Sequence, residues 1–186
     1  MTTTRSTDSR RRLVDDLMMK ARMLALVNGV LRTTLAARSL PEVLLALAPN
    51  LKEVCPFDRL SVSLYDPRRK LFHTPYEYLK AKVVETNESP REAGSSAAGE
   101  VIRTRKPLLR REPRRDSTPL ATDTATLKRQ PGCEAIFPLE SGELAFGTFQ
   151  IGCLERDRIQ DAHLEHLSEL LPSIAAAVHR FAGIMP

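Results

Sequence analysis

The chain has 186 residues, 42% of them hydrophobic and 27% charged, and a formal net charge of +5. That apolar content can bury a core, which excludes global disorder, and the length suits one domain with helical extensions. No apolar run approaches the roughly 20 residues a membrane-spanning helix needs, and the start MTTTRSTDSRRRL lacks the apolar segment of a signal peptide. The expected compartment is therefore the cytoplasm, with no membrane partner.

In chain order, the polar residues 1–9 show no periodicity, and a helix is expected from Arg10. In domain terms this gives a disordered basic tail over 1–12, a single domain with an N-terminal helical extension over 13–181, and a short tail over 182–186. Val14, Leu17, Ala21, Leu24, Asn28, Leu31 and Leu35 step alternately by three and four, the spacing of a helix–helix seam. Met23, Val27 and Val30 form a second stripe beside it. Two stripes predict two partners: the domain's own sheet and a second subunit, with Asn28 setting register in the seam. The alternative is one wide apolar face packed inside a single domain.

Ser39-Leu40-Pro41-Glu42 reads as a capping box that starts the next helix, with Pro41 in the first turn where its missing N–H has no helical role. Pro49 is expected to kink that helix or end its first half. Arg59–Tyr65 alternates as a strand, with Leu60, Val62 and Leu64 toward the core and Ser61, Ser63 and Tyr65 on the other face. Further strands are expected over Lys70–Tyr78 and Ala81–Glu85. Ser89–Ser96 is a Pro/Gly/Ser loop, and Ser96 caps a short helix, Ala97–Thr104, that ends before Pro107. Pro107–Arg110 reads as a short strand. Glu112–Gly132 has no period and is rich in Pro, Thr, Asp and Arg; a connection this long is usually functional or mobile.

The stretch Cys133–Cys153, CEAIFPLESGELAFGTFQIGC, reads as a hairpin turning at Ser141-Gly142. On its second strand Ala145, Gly147, Phe149 and Ile151 share the core face, which puts Phe146, Thr148 and Gln150 opposite. Covered polar groups such as these need partners, in the protein or in a ligand. The last helix, about Asp161–Phe181, repeats the seam spacing through Leu164, Leu167, Leu171, Ile174, Val178 and Phe181. Gln160 is a weak cap for it, and Pro172 predicts a bend near Ser168.

Charge and chemistry are local. Arg103–Arg115 alone carries +6, so the rest of the chain sums to −1. This segment lacks the interleaved aromatics of a nucleic-acid platform, so direct nucleic-acid binding is not expected. It reads as a solvated charged loop or as a clamp for an anion. Cys55, Cys133 and Cys153 form no CxxC pair and are expected to be buried apolar residues rather than a disulfide framework or zinc site. His163 and His166 are expected on the solvated face of the last helix. No P-loop, HExxH, GxSxG or GxGxxG occurs, which gives no catalytic residue, no metal and no assignable cofactor.

The pattern FPL, short turn, GELAFGTFQIG, followed by an acidic helix start and a long apolar helix, resembles a GAF domain, a small-molecule sensor module of signalling proteins. The resemblance extends to CPFDRLSVSLYD (Cys55–Asp66) and SSAAGEVIRTRKPLL (Ser95–Leu109), and so covers most of Leu24–Phe181. It is strongest toward the GAF at the front of bacterial sigma-54-dependent activators of the formate-hydrogenlyase type. The resemblance implies an α+β fold: a central antiparallel sheet with the N- and C-terminal helices on one face and lid loops and short helices on the other. It also implies a homodimeric, non-enzymatic input module of a transcriptional regulator or signal-transduction protein, with an output domain or partner protein.

The dimer seam it implies uses Leu17, Leu24, Asn28, Leu31, Leu167, Leu171, Ile174 and Val178. Parity nominates Ser61, Ser63, Tyr65, Glu134, Ile136, Thr148 and Gln150 as pocket lining, with Arg103, Arg105 and Arg115 from the lid. Hydroxyls, an amide and arginines suit a small polar or anionic ligand of unknown identity. The Asn-Lys pair of cyclic-nucleotide GAF domains is absent, and no Cys precedes His as in bilin-binding ones. Iron-holding relatives would direct attention to Asp116, Asp123 and Cys133. The alternatives kept are a ligand-free dimerisation module and a thiol-dependent reductase on the same fold.

Overall fold

The computed structural model describes residues 3–86, 89–94, 96–111 and 132–183, with side chains from Arg10 onward. Among the described residues four helices and seven strands follow one another as α1 (Thr3–Leu35), α2 (Leu40–Lys52), β1 (Arg59–Asp66), β2 (Leu71–Leu79), β3 (Lys82–Glu85), β4 (Arg91–Glu92), α3 (Ala97–Thr104), β5 (Leu108–Arg110), β6 (Cys133–Ser141), β7 (Leu144–Cys153) and α4 (Asp161–Ala182). The strands make one sheet in the order β3-β2-β1-β7-β6-β5, with β4 paired to β2, and every pairing is antiparallel. This is the expected α+β architecture. Helices α2 and α4 pack on one face of the sheet, α1 packs on α2 and α4, and α3 lies against β6 and β7.

β1 sits at the centre of the sheet, and Arg59 through Leu64 are all buried. Its alternation therefore separates two covered faces rather than core from water. On the helix side Leu60, Val62, Phe137, Phe149 and Ile151 form the core with Leu167, Leu170 and Ile174 of α4. The rings of Phe137 and Phe149, cross-strand partners, lie 6.2 Å apart. Burying a side chain of this size contributes roughly 1.5–3 kcal/mol. Two glycines make the hairpin possible. Gly142 takes the left-handed turn at φ +60°. At Gly147 a Cβ would stand 2.4 Å from the Ser63 carbonyl oxygen, so β1 and β7 approach only because there is none.

Several expectations are corrected. The helix α1 begins at Thr3, ahead of the start expected at Arg10. Pro49 does not end its helix, which runs on to Lys52, and Pro172 lies inside α4. Both lie on the exposed side, where the carbonyl left without an N–H partner meets water. Phe146, placed on the outer face by parity, packs edge-on against His179 of α4 at 5.0 Å. A register shift between Leu139 and Glu140 breaks the alternation there.

Of the seam residues on α4, Leu167, Ile174 and Val178 are wholly buried in the domain's own core and Leu171 is half-buried, so this stripe is consumed within the fold. On α1 the division is the reverse. Met23, Leu26 and Val30 pack inward, while Val14, Leu17, Ala21, Leu24, Asn28 and Leu35 are exposed and Leu31 is half-buried. Residues 10–22 of α1 touch no core at all.

Helix starts follow local chemistry. Ser39 accepts from the Glu42 N–H at 3.4 Å, and the Glu42 carboxylate accepts from Arg38 N–H rather than from Ser39. Ser96 accepts from Gly99 N–H at 3.0 Å. At α4 the weak cap Gln160 is supported by His163, whose Nδ1 accepts the Gln160 N–H at 3.0 Å.

Candidate ligand pocket

The face of the sheet opposite the helices is built from rows of cross-strand partners. Arg59, Gly152, Glu134 and Arg110 lie in one row across β1, β7, β6 and β5. Glu77, Ser61, Gln150, Ile136 and Leu108 lie in the next, across β2, β1, β7, β6 and β5. Partners in a row stand about 4.5–5.5 Å apart at Cβ, so the polar groups converge. Gly152 presents no side chain between Arg59 and Glu134, which leaves room for both.

Four charged side chains form two ion pairs on this face. Arg59 Nε is 2.6 Å from Glu77 Oε1, with both side chains buried. Arg110 Nη1 donates to Glu134 Oε1 at 2.8 Å. Burial pushes the Glu134 carboxyl above its ordinary range, opposed first by the charge of Arg110 and then by that of Arg59. Beside them runs a hydroxyl–amide chain. Gln150 Nε2 donates to Thr148 Oγ1 at 3.0 Å and to Ser63 Oγ at 3.5 Å, and Ser63 Oγ lies 2.6 Å from Thr74 Oγ1.

Two groups are left over. Ser61 Oγ and both Glu77 carboxylate oxygens are buried and make no hydrogen bond within the described residues, Oε1 having only its ion-pair contact with Arg59. Both line a cavity of about 70 Å³, room for several non-hydrogen atoms when one water needs some 10–15 Å³ on this measure. Its walls include Phe72, Ile136, Arg110 and Ala97 and Ala98 from the first turn of α3.

Of the residues expected to line a pocket, Ser61, Ser63, Glu134, Ile136 and Gln150 do line this cavity. Thr148 stands behind it as the acceptor for Gln150. Tyr65 does not belong to it: its ring packs at a tilt against Phe72, centroids 5.1 Å apart, and borders a separate recess with Asp66, Arg68 and His73. Arg103 is exposed. Arg105 turns away to the hairpin tip, with its guanidinium on the Glu143 carbonyl and 3.5 Å from Glu140. Arg115, Asp116 and Asp123 lie outside the described residues.

The basic segment thus divides rather than forming one patch. Arg105 serves the hairpin, Arg110 the pocket, and Arg111 pairs with Asp161 at 2.6 Å. Parity reasoning stopped short of Arg59, which has the same parity as Ser61 and Ser63 and begins the same strand. Glu77 and Arg110 were missed because their roles come from cross-strand register.

The three cysteines sit on the helix side, away from the cavity, and all are in the core. Burial pushes the thiols of Cys55 and Cys153 up to about 12. Cys153 and Cys55 donate to the Pro56 carbonyl and Cys133 to that of Glu155. No helix among the described residues is long and apolar enough to cross a membrane.

A central antiparallel sheet with terminal helices on one face and a short helix over a polar cavity on the other is the GAF fold. Solved structures bear this out. The GAF domain of a phosphoenolpyruvate-protein phosphotransferase from Coxiella burnetii superposes with a TM-score of 0.65 at 16% identity, covering 88% of this chain and 96% of that one. The GAF domain of a two-component sensor histidine kinase from Bacillus halodurans gives 0.58 at 18% identity, covering 77% and 96%. A free methionine-R-sulfoxide reductase from Neisseria meningitidis, solved with its substrate, gives 0.62 at 12% identity, covering 88% and 92%. No protein-family profile and no curated protein sequence matches the chain, so the likeness is one of fold.

Proposed function

We propose that this chain is a small-molecule-sensing regulatory domain that acts without catalysis, as the homodimeric input module of a cytoplasmic transcriptional regulator or signal-transduction protein. The observation that carries the reading is the pair of unpartnered buried groups, Ser61 Oγ and Glu77 Oε2, at the floor of a cavity. Leaving such groups unmet costs about 1–3 kcal/mol each, and a ligand that completes them recovers that cost. The sensor-kinase neighbour supports a signalling role by fold analogy. The sigma-54-dependent setting rests on the sequence motifs alone.

The dimer rests on α1. A projecting helical stretch with Leu13, Val14, Leu17, Met18 and Met19 exposed has no packing among the described residues to hold it in a monomer. Its heptad spacing suits a second copy of the same helix. Ligand binding at the cavity would reach this seam through the sheet and α4, whose Phe146 contact joins β7 to the helix layer.

A thiol-dependent reductase on this fold is the second reading, favoured by the reductase neighbour. It is opposed by thiols that lie across the sheet from the cavity. Native mass spectrometry on gently purified protein tests the proposal. A dimer with retained small-molecule mass, lost on Ala98→Trp, is expected. Apo mass under every purification condition favours the ligand-free dimerisation module instead. A Leu17→Asp/Leu24→Asp variant that remains a dimer removes the α1 seam.

A further inference from the structure

The cavity floor specifies what kind of head group it can hold. Resting on the sensor reading above, we propose that the cavity binds an uncharged, planar N–H donor, a primary carboxamide or urea-type group, held by Ser61 Oγ and Glu77 Oε2.

The two unmet groups are cross-strand partners in one row of the sheet. A carboxylate oxygen accepts and does not donate, and a serine hydroxyl accepts as well as donates. A flat group with two N–H bonds spans neighbouring acceptors of this kind. Gln150, next in the same row and a wall of the same cavity, uses its Nε2 on Thr148 and Ser63, so the polar atom it has left is its amide oxygen, an acceptor. Phe72, Ile136, Ala97 and Ala98 supply apolar wall for the carbon part.

Charge decides between ionic and neutral ligands. The carboxylates at the site, Glu77, Glu92 and Glu134, are matched in number by Arg59, Arg91 and Arg110. Arg110 is already spent on Glu134 and Arg59 on Glu77. An anion would therefore meet two arginines, Arg59 and Arg110, already paired with carboxylates of the site, and a cation finds no net negative field. Either would lose its hydration without an opposing charge to replace it. A neutral donor completes both acceptors at no such cost.

Acetamide, acetate and acetamidinium have one shape and three charges, and titration of each into ¹⁵N-labelled full-length protein tests the inference. Acetamide is expected to shift the backbone resonances of Ser61, Glu77 and Gln150 saturably in the millimolar range, with the two ions at least about tenfold weaker. Ser61→Ala should weaken acetamide about three- to tenfold while leaving the melting temperature unchanged or higher, because that hydroxyl has no partner among the described residues. Glu77→Gln should weaken it further. If acetate or acetamidinium binds as tightly as acetamide, the ligand class is overturned while the sensor pocket stands. If Ser61→Ala binds acetamide as the parent does, the assigned contact is overturned. If none of the three moves the pocket resonances, the amide class is overturned, and the sensor reading is decided separately by ligand mass retained in native mass spectrometry.

Discussion

The sheet has two buried faces that use burial in opposite ways. Toward the helices, Leu60, Val62, Phe137, Phe149 and Ile151 fill space with apolar side chains. Toward α3, the same strands and β2 bury Arg59, Ser61, Glu77, Glu134, Thr148 and Gln150. The first face gains free energy from every group it covers. The second spends part of that gain on desolvating charges, returns some of it in two ion pairs, and leaves Ser61 and Glu77 unfinished. A fold that needed only stability has no use for such a face, so the difference teaches where function is held.

The sharpest way to break this contrast is to cut into each face in turn. Phe149→Ala should lose about 3–5 kcal/mol of unfolding free energy in denaturant titration, the cost of a large cavity in a rigid core. Arg59→Ala, which strands Glu77, should lose about 3 kcal/mol. Replacing both charges, as Arg59→Met/Glu77→Leu, should return stability to within about 1 kcal/mol of the parent or above it. No such rescue is available to Phe149→Ala. A double variant as damaged as the single one would show that the outer face is a stabilising core like the inner one.

The next effect is pH-dependent. The Glu134 carboxyl is raised in the folded state, so its contribution is full below the ordinary carboxyl value of 4.5 and is lost as pH rises through the raised value. Stability measured across that window should fall with pH, and Glu134→Gln should flatten the slope. The smallest effect has the opposite sign and lies at the start of α4. Burial, then the charge of His166, lowers His163 below its ordinary 6.5. Its contribution is present above that value and lost as pH falls through the lowered one. His163→Ala should remove this dependence and cost under about 1 kcal/mol.

Much of the fold was legible because its signals are local. The alternation in β1, β6 and β7, the Ser39 and Ser96 caps and the 3–4 spacing of α4 each depend on neighbours in sequence. The GAF resemblance ordered those pieces into one sheet. The pocket was half legible: the parity that nominated Ser61, Ser63, Glu134, Ile136 and Gln150 is also local. Arg59–Glu77 and Arg110–Glu134 were not, since each pair depends on which strands adjoin and in what register. The α4 stripe misled for a related reason. A heptad repeat shows that a face is apolar, but not whether its own sheet or a second chain covers it.

The central claim is that the outer face is built around a ligand. A high-resolution crystal structure of protein purified without denaturation tests it most directly. The account predicts density for a small organic group in the cavity, within hydrogen-bonding distance of Ser61 Oγ and Glu77 Oε2. A cavity filled by the protein's own side chains, with both groups satisfied by them, would contradict it.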